Sequence, residues 1–236
     1  MRDPYLLLWL EAPLQSWGHD SKFGRRDSLD FPTKSGVLGL LCSARGAGDK
    51  ETEWLRAWAD LDMQLVAYVP RDKQGNPLVR QPLMRDFHMV GSGYDAQDPW
   101  ASLMIPKTSE GKKAVGGGTK MTYRYYLQDM AYAVALQGPA NHVHEAITAL
   151  ARPVWDLYLG RKNCVPTEFI GQGVFESGEL ALQAGEELAL AKNRAFAFRV
   201  KQGEFDGEVI TLNDIPLQFG ENKKYRDRRV TVQKRE

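Results

Sequence analysis

Residues 5–10 (YLLLWL) are apolar without interruption, the pattern of a strand covered on both faces near the middle of a sheet. The period changes over residues 31–42 (FPTKSGVLGLLC). Pro32 and Thr33 end an extended stretch, Ser35 offers a side-chain cap, and Val37, Leu38, Leu40 and Leu41 recur at helical spacing around Gly39. Gly46 and Gly48 close that helix, and a short second one over 51–59 sets Trp54, Leu55 and Trp58 on one face. Residues 63–69 predict a strand, followed by a turn at QGN and Pro77. Residues 121–126 (MTYRYY) and 131–137 (AYAVALQ) predict two more strands. A helix over 140–151 is marked at its start by Pro139 and Asn141. Beyond residue 168 the pattern reads as short strands between Gly turns, clearest over 194–201 (RAFAFRVK) and 229–233.

Between about residues 77 and 128 apolar periodicity fades. Gly91, Gly93, Gly111 and residues 116–118 interrupt a polar, Lys-rich segment, so a two-stranded protrusion or a loop ordered on binding is expected there. The order strand, helices, strand, excursion, strand, helix is most of a ferredoxin-like (RRM-like) βαββαβ core. The expected class is therefore α+β: residues 1–167 as one domain with an insertion at about 77–128, and residues 168–236 as a small β-rich C-terminal region. Fold alone assigns no function.

Composition narrows this picture. A chain of 236 residues with 43% hydrophobic and 10% aromatic residues is long enough for a sizeable core and lies outside the disordered class. The run at 5–10 is too short to cross a membrane and has no signal-peptide cleavage pattern, which points to the cytoplasm. Cys42 and Cys164 form no CxxC or Cys/His cluster, so no disulfide scaffold, metal site or cofactor is expected. The net charge of +1 hides segregation along the chain. Basic residues collect at Lys22, Arg25, Arg26 and Lys34, at Lys112, Lys113, Lys120 and Arg124, at Arg161 and Lys162, and over 223–229. Gly, Ser, Thr and aromatic residues stand beside several of these clusters, the local composition of a phosphate-tracking surface, although each alone is also that of a solvated face.

Three stretches carry candidate chemistry. The start of the helix at 33–36 has unpaired N–H groups and the positive end of a dipole beside Lys34, so it suits either an anion or an ordinary Ser/Thr cap. It is no nucleotide P-loop, because Lys-Ser precedes the glycine and no upstream glycine stands at the required distance. YLGRKNCVP (158–166) sets Gly160 beside Arg161, Lys162 and Asn163, a loop whose backbone can approach a phosphate while two cations neutralise it, or a plain basic turn. Tyr123, Tyr125 and Tyr126 interleave with Arg124, which suits base stacking and strand packing alike, and Trp17 suits a core or a base.

The segments APLQSWG (12–18), FPTKSGVLGLL (31–41), RDFHMVGS (85–92), YRYYLQDMAYAVAL (123–136) and YLGRKNCVP (158–166) occur in an order that resembles the CasD family of type I-E CRISPR Cascade subunits, within the RAMP superfamily of CRISPR-associated RNA-binding proteins. The likeness spans roughly the first 170 residues and is loose after that. It implies a RAMP-type ferredoxin-like core with the excursion as a protruding thumb. It also implies a subunit that grips the repeat-derived 5′ handle of the CRISPR RNA (crRNA) where the large subunit and the first backbone subunit meet. The thumb would wedge into the RNA, and target DNA would be met only through the complex. Combined with the basic loops, it nominates Gln15, Trp17, Lys22, Arg25, Arg26, Thr33, Lys34, Ser35, Gly36, Arg85, His88, Lys112, Lys120, Tyr123, Arg124, Arg161, Lys162 and Asn163 as RNA-binding.

A related branch of the family processes precursor RNA. Metal-free RNA cleavage needs a base, an acid and cations on the phosphate. Of the four histidines, His19, His88, His142 and His144, the last two are two positions apart on a helix and share no face, and His88, near Lys112 and Tyr123 in chain order, is the best candidate base. No nucleophile elbow or carboxylate pair accompanies it. A non-catalytic RNA-binding subunit is the expectation, with a metal-independent endoribonuclease as the alternative.

Overall fold

The uninterrupted apolar run becomes β1 (Tyr5–Glu11), buried because both of its faces are covered. Leu6, Leu8 and Leu10 join one core cluster and Leu7 and Trp9 a second on the opposite face. The computed structural model describes residues 3–18, 21, 24–90, 97, 108, 110–112 and 120–234, with the backbone alone at 90 and 120. Along them run β1, β2 (Leu14–Gln15), β3 (Arg25–Arg26), α1 (Lys34–Arg45), α2 (Thr52–Ala59), β4 (Met63–Pro70), β5 (Met84–Val90), β6 (Lys120–Gln128), β7 (Ala131–Gln137) and α3 (Ala140–Ala151). They continue with β8 (Gly171–Phe175), α4 (Gly178–Ala191), β9 (Arg194–Gln202), β10 (Glu208–Gln218) and β11 (Lys224–Lys234). None of the described helices is long and apolar enough to cross a membrane.

One antiparallel sheet of seven strands, in the order β10-β11-β9-β4-β7-β1-β8, forms the frame. Helices α1, α2 and α3 lie on the face that receives Leu6, Tyr132, Val134 and Leu136, and α4 lies on the other. The first four strands linked by helices follow the order β4-β7-β1-β8, with α1 and α2 between β1 and β4 and α3 between β7 and β8.

Local chemistry explains where elements start and stop. Thr33, extended at φ −83° and ψ 152°, accepts the Gly36 N–H at 3.1 Å and so caps α1, whereas Ser35, the cap expected from sequence, lies inside the helix and donates to Thr33 Oγ1 at 3.3 Å. Gly46 ends α1 at φ +69°, and a Cβ there would stand 2.7 Å from Val154 Cγ1, so the stop requires glycine twice over. The C-terminal region departs from the sequence expectation. Residues 178–191 form α4 instead of short strands, because Gly178 and Gly185 serve packing and not turns. A Cβ on Gly185 would come 2.5 Å from Ala133 Cβ, the close approach of helix to sheet for which Ala131, Ala133 and Ala135 also leave room. Nor does the sheet break at residue 168, since β8 pairs with β1 and β9 with β4.

A second, smaller sheet is built around β6. It pairs with β5 and β2 antiparallel and with β3 parallel, so the segment just after β1, the basic loop after Trp17 and the start of the excursion meet on one strand. Most of the expected excursion between β5 and β6 falls outside the described residues.

Candidate nucleic-acid interface

Strand alternation decides which side chains of the β5/β6 hairpin can act together. The register sets Met84 against Tyr126, Asp86 against Arg124 and His88 against Thr122 on one face, and Arg85 against Tyr125, Phe87 against Tyr123 and Met89 against Met121 on the other. On the first face the YLGRKN loop closes a groove of about 620 Å3 lined by Arg26, Asp86, His88, Arg124, Tyr126, Tyr158, Gly160, Arg161, Lys162 and Asn163. Four cations face a single carboxylate there. A polyanion is the complementary ligand, and the wide opening suits a strand better than a small molecule.

The groove is rigid because its loop is pinned at several points. Gly160 sits at φ +97°, and a Cβ would lie 1.7 Å from the Ser16 carbonyl oxygen. No other residue fits there. The Ser16 N–H donates to Leu159 O at 3.1 Å, and the Leu159 N–H donates to Cys164 O at 2.8 Å. Arg161 reaches back under the loop, donating from Nη1 to Tyr125 O at 3.2 Å and from Nη2 to Arg26 O at 2.9 Å, with its guanidinium 4.6 Å from the centre of the Tyr126 ring. Arg161 therefore ties three segments together before it contributes charge. Cys164 is fully buried behind the loop and burial raises its thiol pKa, so it packs and does not react. At the groove wall stands His88, whose Nδ1 is buried without a hydrogen-bond partner.

The reverse face of the hairpin exposes Phe87 (51%), Met89 (43%), Met121 (59%) and Tyr123 (46%). Phe87 and Tyr123 pack at 5.4 Å between centroids, Arg85 lies 5.5 Å from the Tyr123 ring centre, and Arg25 lies 4.8 Å from that of Tyr125. Arg25 also pairs with Asp27 at 2.7 Å. Exposed rings beside cations have the chemistry of a base-stacking surface.

At the start of α1, Lys34 turns inward to internal partners. Lys34 is wholly buried; its Nζ donates to Ala59 O at 3.0 Å and to Leu61 O at 2.5 Å, so its ammonium meets the carbonyl end of α2. Its backbone N–H donates to Asp214 Oδ2 at 2.7 Å. An internal carboxylate thus stands where an RNA phosphate was expected, and Arg228 holds it through Nε at 2.7 Å and Nη2 at 2.9 Å. Thr33 and Ser35 line a separate recess with Lys223 and Tyr225, and Gly36 packs against Trp17, where a Cβ would stand 2.9 Å from the indole.

Gln15 and Trp17 are also internal. Gln15 Nε2 donates to Met130 O at 2.7 Å and Leu10 O at 3.2 Å, and its Oε1 accepts the Trp17 indole N–H at 3.1 Å. With relative exposures of 0% and 1%, their side chains are core and offer no surface for RNA to contact. Lys112 stands on an exposed turn and pairs with Glu110 at 3.0 Å, remote in contacts from the groove. Lys22 and the side chain of Lys120 lie outside the described residues. Of the basic run at 223–229, Arg226 pairs with Asp60, Arg229 with Glu204, and Arg228 is buried on Asp214. Asp86 has no role in the sequence reading, while Tyr126, Tyr158 and Gly160 lie in stretches that it singles out without being nominated themselves. The period-2 signal in MTYRYY, which puts Arg124 and Tyr126 on one face, was available to find Tyr126.

Comparisons with known proteins agree with one another. The family model described as CRISPR-associated protein (Cas_Cas5) matches residues 5–231. CRISPR system Cascade subunit CasD of Escherichia coli (strain K12) is 28% identical over 229 residues, covering 94% of each chain. A chain of a solved CRISPR RNA-guided surveillance complex superposes with a TM-score of 0.69 at 28% identity, covering 98% of this chain and 89% of that one. A crystal structure of a Cas protein, at 23% identity and a TM-score of 0.57, shares the fold over 98% of this chain and 94% of its own.

Proposed function

The chain belongs to the CRISPR-associated Cas5 family, and on that premise we propose that it is a non-catalytic subunit of an RNA-guided surveillance complex that holds the 5′ handle of the crRNA in the groove between β3, β6 and the YLGRKN loop. The observation that carries this reading is the convergence of Arg26, Arg124, Arg161 and Lys162 on one concave surface. Cations position the backbone, while the groove's polar edges meet bases. The order β4-β7-β1-β8 supports a ferredoxin-like core, and the β5/β6 hairpin with its ring-bearing reverse face supports a thumb that stacks against or parts bases. In this role the subunit acts in the cytoplasm, joins the handle to the large subunit and the first backbone subunit, and meets target DNA through the assembled complex.

The test is equilibrium binding of the full chain to labelled 5′-handle RNA across a salt series. Arg124→Ala and Lys162→Ala are each expected to weaken binding and to lower the slope of log K against log salt by about 0.7, the single-strand value for one lost phosphate contact. Unchanged slopes in both variants would remove the groove as the binding site.

A second reading draws on His88 in the same groove: a metal-independent endoribonuclease with this imidazole as base beside Arg124 and Lys162. Incubation with labelled repeat RNA in chelator distinguishes it. Cleavage abolished by His88→Ala would replace the non-catalytic reading.

A further inference from the structure

Immediately beside the groove, and sharing Tyr158 and Lys162 with it, lies a second cavity of about 600 Å3 lined by Trp155, Asp156, Leu157, Tyr158, Lys162 and Val165. Trp155 is 52% exposed and Val165 61%, whereas Trp9, Trp17 and Trp58 are essentially inaccessible. The exposure is held in place by the backbone on both sides. The Val154 N–H donates to Ala44 O at 2.9 Å, the Val154 side chain sits over Gly46, and at the other end Leu159 is buried and bonded to Ser16 and Cys164. An irregular segment anchored at both ends therefore presents an exposed indole beside the basic groove. Lys162 stands at the junction of the two cavities, where a phosphate between two nucleotides would lie, and the Asp156 carboxylate offers an acceptor to a base edge.

From this juxtaposition we infer that Trp155 is a stacking platform for one unpaired nucleobase of the RNA strand as it leaves the groove, with Lys162 on the adjoining phosphate. The inference rests on the groove being the RNA site. Indole is a large aromatic surface, stacking tolerates any base, and a purine with its larger ring system is favoured over a pyrimidine.

The test uses the full chain and 5′-handle RNA, unmodified and with a single abasic position moved along the strand. Trp155→Ala is expected to melt as wild type, since the side chain is half exposed, and to bind the unmodified RNA about 5- to 160-fold more weakly, the range that base–aromatic stacking supplies. Its salt slope should stay at the wild-type value, and Trp155→Phe should recover most of the affinity. At one abasic position wild type should weaken to the level of Trp155→Ala while the variant loses nothing more. Wild-type affinity in Trp155→Ala, with Lys162→Ala still impaired, would overturn the base platform alone. If Lys162→Ala and Arg124→Ala also bind as wild type, the groove reading fails with it. If Trp155→Ala keeps its RNA affinity but releases a protein subunit from the assembled complex, the indole is a protein contact and the inference is wrong.

Discussion

Lys34→Met removes a buried ammonium while keeping an unbranched stem, and its effect on stability can be worked out from the surroundings. Burial, reinforced by the nearby Arg228 guanidinium, lowers the Lys34 pKa from 10.5 to about 8, against the opposing influence of Asp214, Asp62 and Asp60. Between those two values the unfolded chain holds a proton at this side chain that the native protein has released. Unfolding therefore takes up a proton, and alkali favours the native state. Across the whole window stability rises with pH by on the order of 3 kcal/mol, most of it between pH 7 and pH 10. Urea unfolding of wild type and Lys34→Met at several pH values in that interval isolates the effect, because other titrating groups cancel in the difference. Wild type should gain on the variant steadily as pH rises. A flat difference, or a wild type that loses ground, would refute the buried, partly desolvated ammonium. The same variant should bind 5′-handle RNA with an unchanged salt slope, since no phosphate reaches Nζ.

Three further outcomes follow from the same geometry. Asp214→Ala leaves the Arg228 charge buried and unpaired and should cost about 3–5 kcal/mol in chemical denaturation, whereas Asp214→Leu combined with Arg228→Leu should recover much of the loss. Gly160→Ala forces a side chain into the Ser16 carbonyl at a left-handed backbone position; a cost of at least about 1–3 kcal/mol in stability and weaker RNA binding are expected from melting and anisotropy measurements. Cys42 and Cys164 are buried, with burial lifting the Cys42 thiol to about 12 and the Cys164 thiol upward, so a thiol reagent at pH 8 should label neither in the native protein and both on unfolding.

Elements whose identity rests on a local pattern were legible in the chain. Residues 140–151 announce α3 through Pro139 and their spacing, and YLLLWL announces a strand that both faces bury. α4 was missed because glycine signals a turn from local chemistry alone, while Gly185 exists to let the helix meet Ala133, a contact across fifty residues of chain. The same limit governs the site. Arg161, Lys162 and Arg124 are written as basic residues beside aromatics and small groups, and they converge. Lys34 is written the same way, yet its fate depends on Asp214 and on carbonyls at Ala59 and Leu61 that no local window contains. Charge clusters in sequence thus become a surface only after pairing is subtracted: Arg226, Arg228 and Arg229 are consumed by Asp60, Asp214 and Glu204.

The most direct measurement of RNA binding in the groove is photo-crosslinking of the full chain to 5′-handle RNA carrying a photoreactive uridine, followed by mass spectrometry of the linked peptides. Linked nucleotides on peptides that contain residues 84–90, 120–128 and 158–163 are the predicted result, with the signal lost as salt is raised. Crosslinks confined to α4 or to the β10/β11 ribbon, with the groove peptides unmodified, would contradict it.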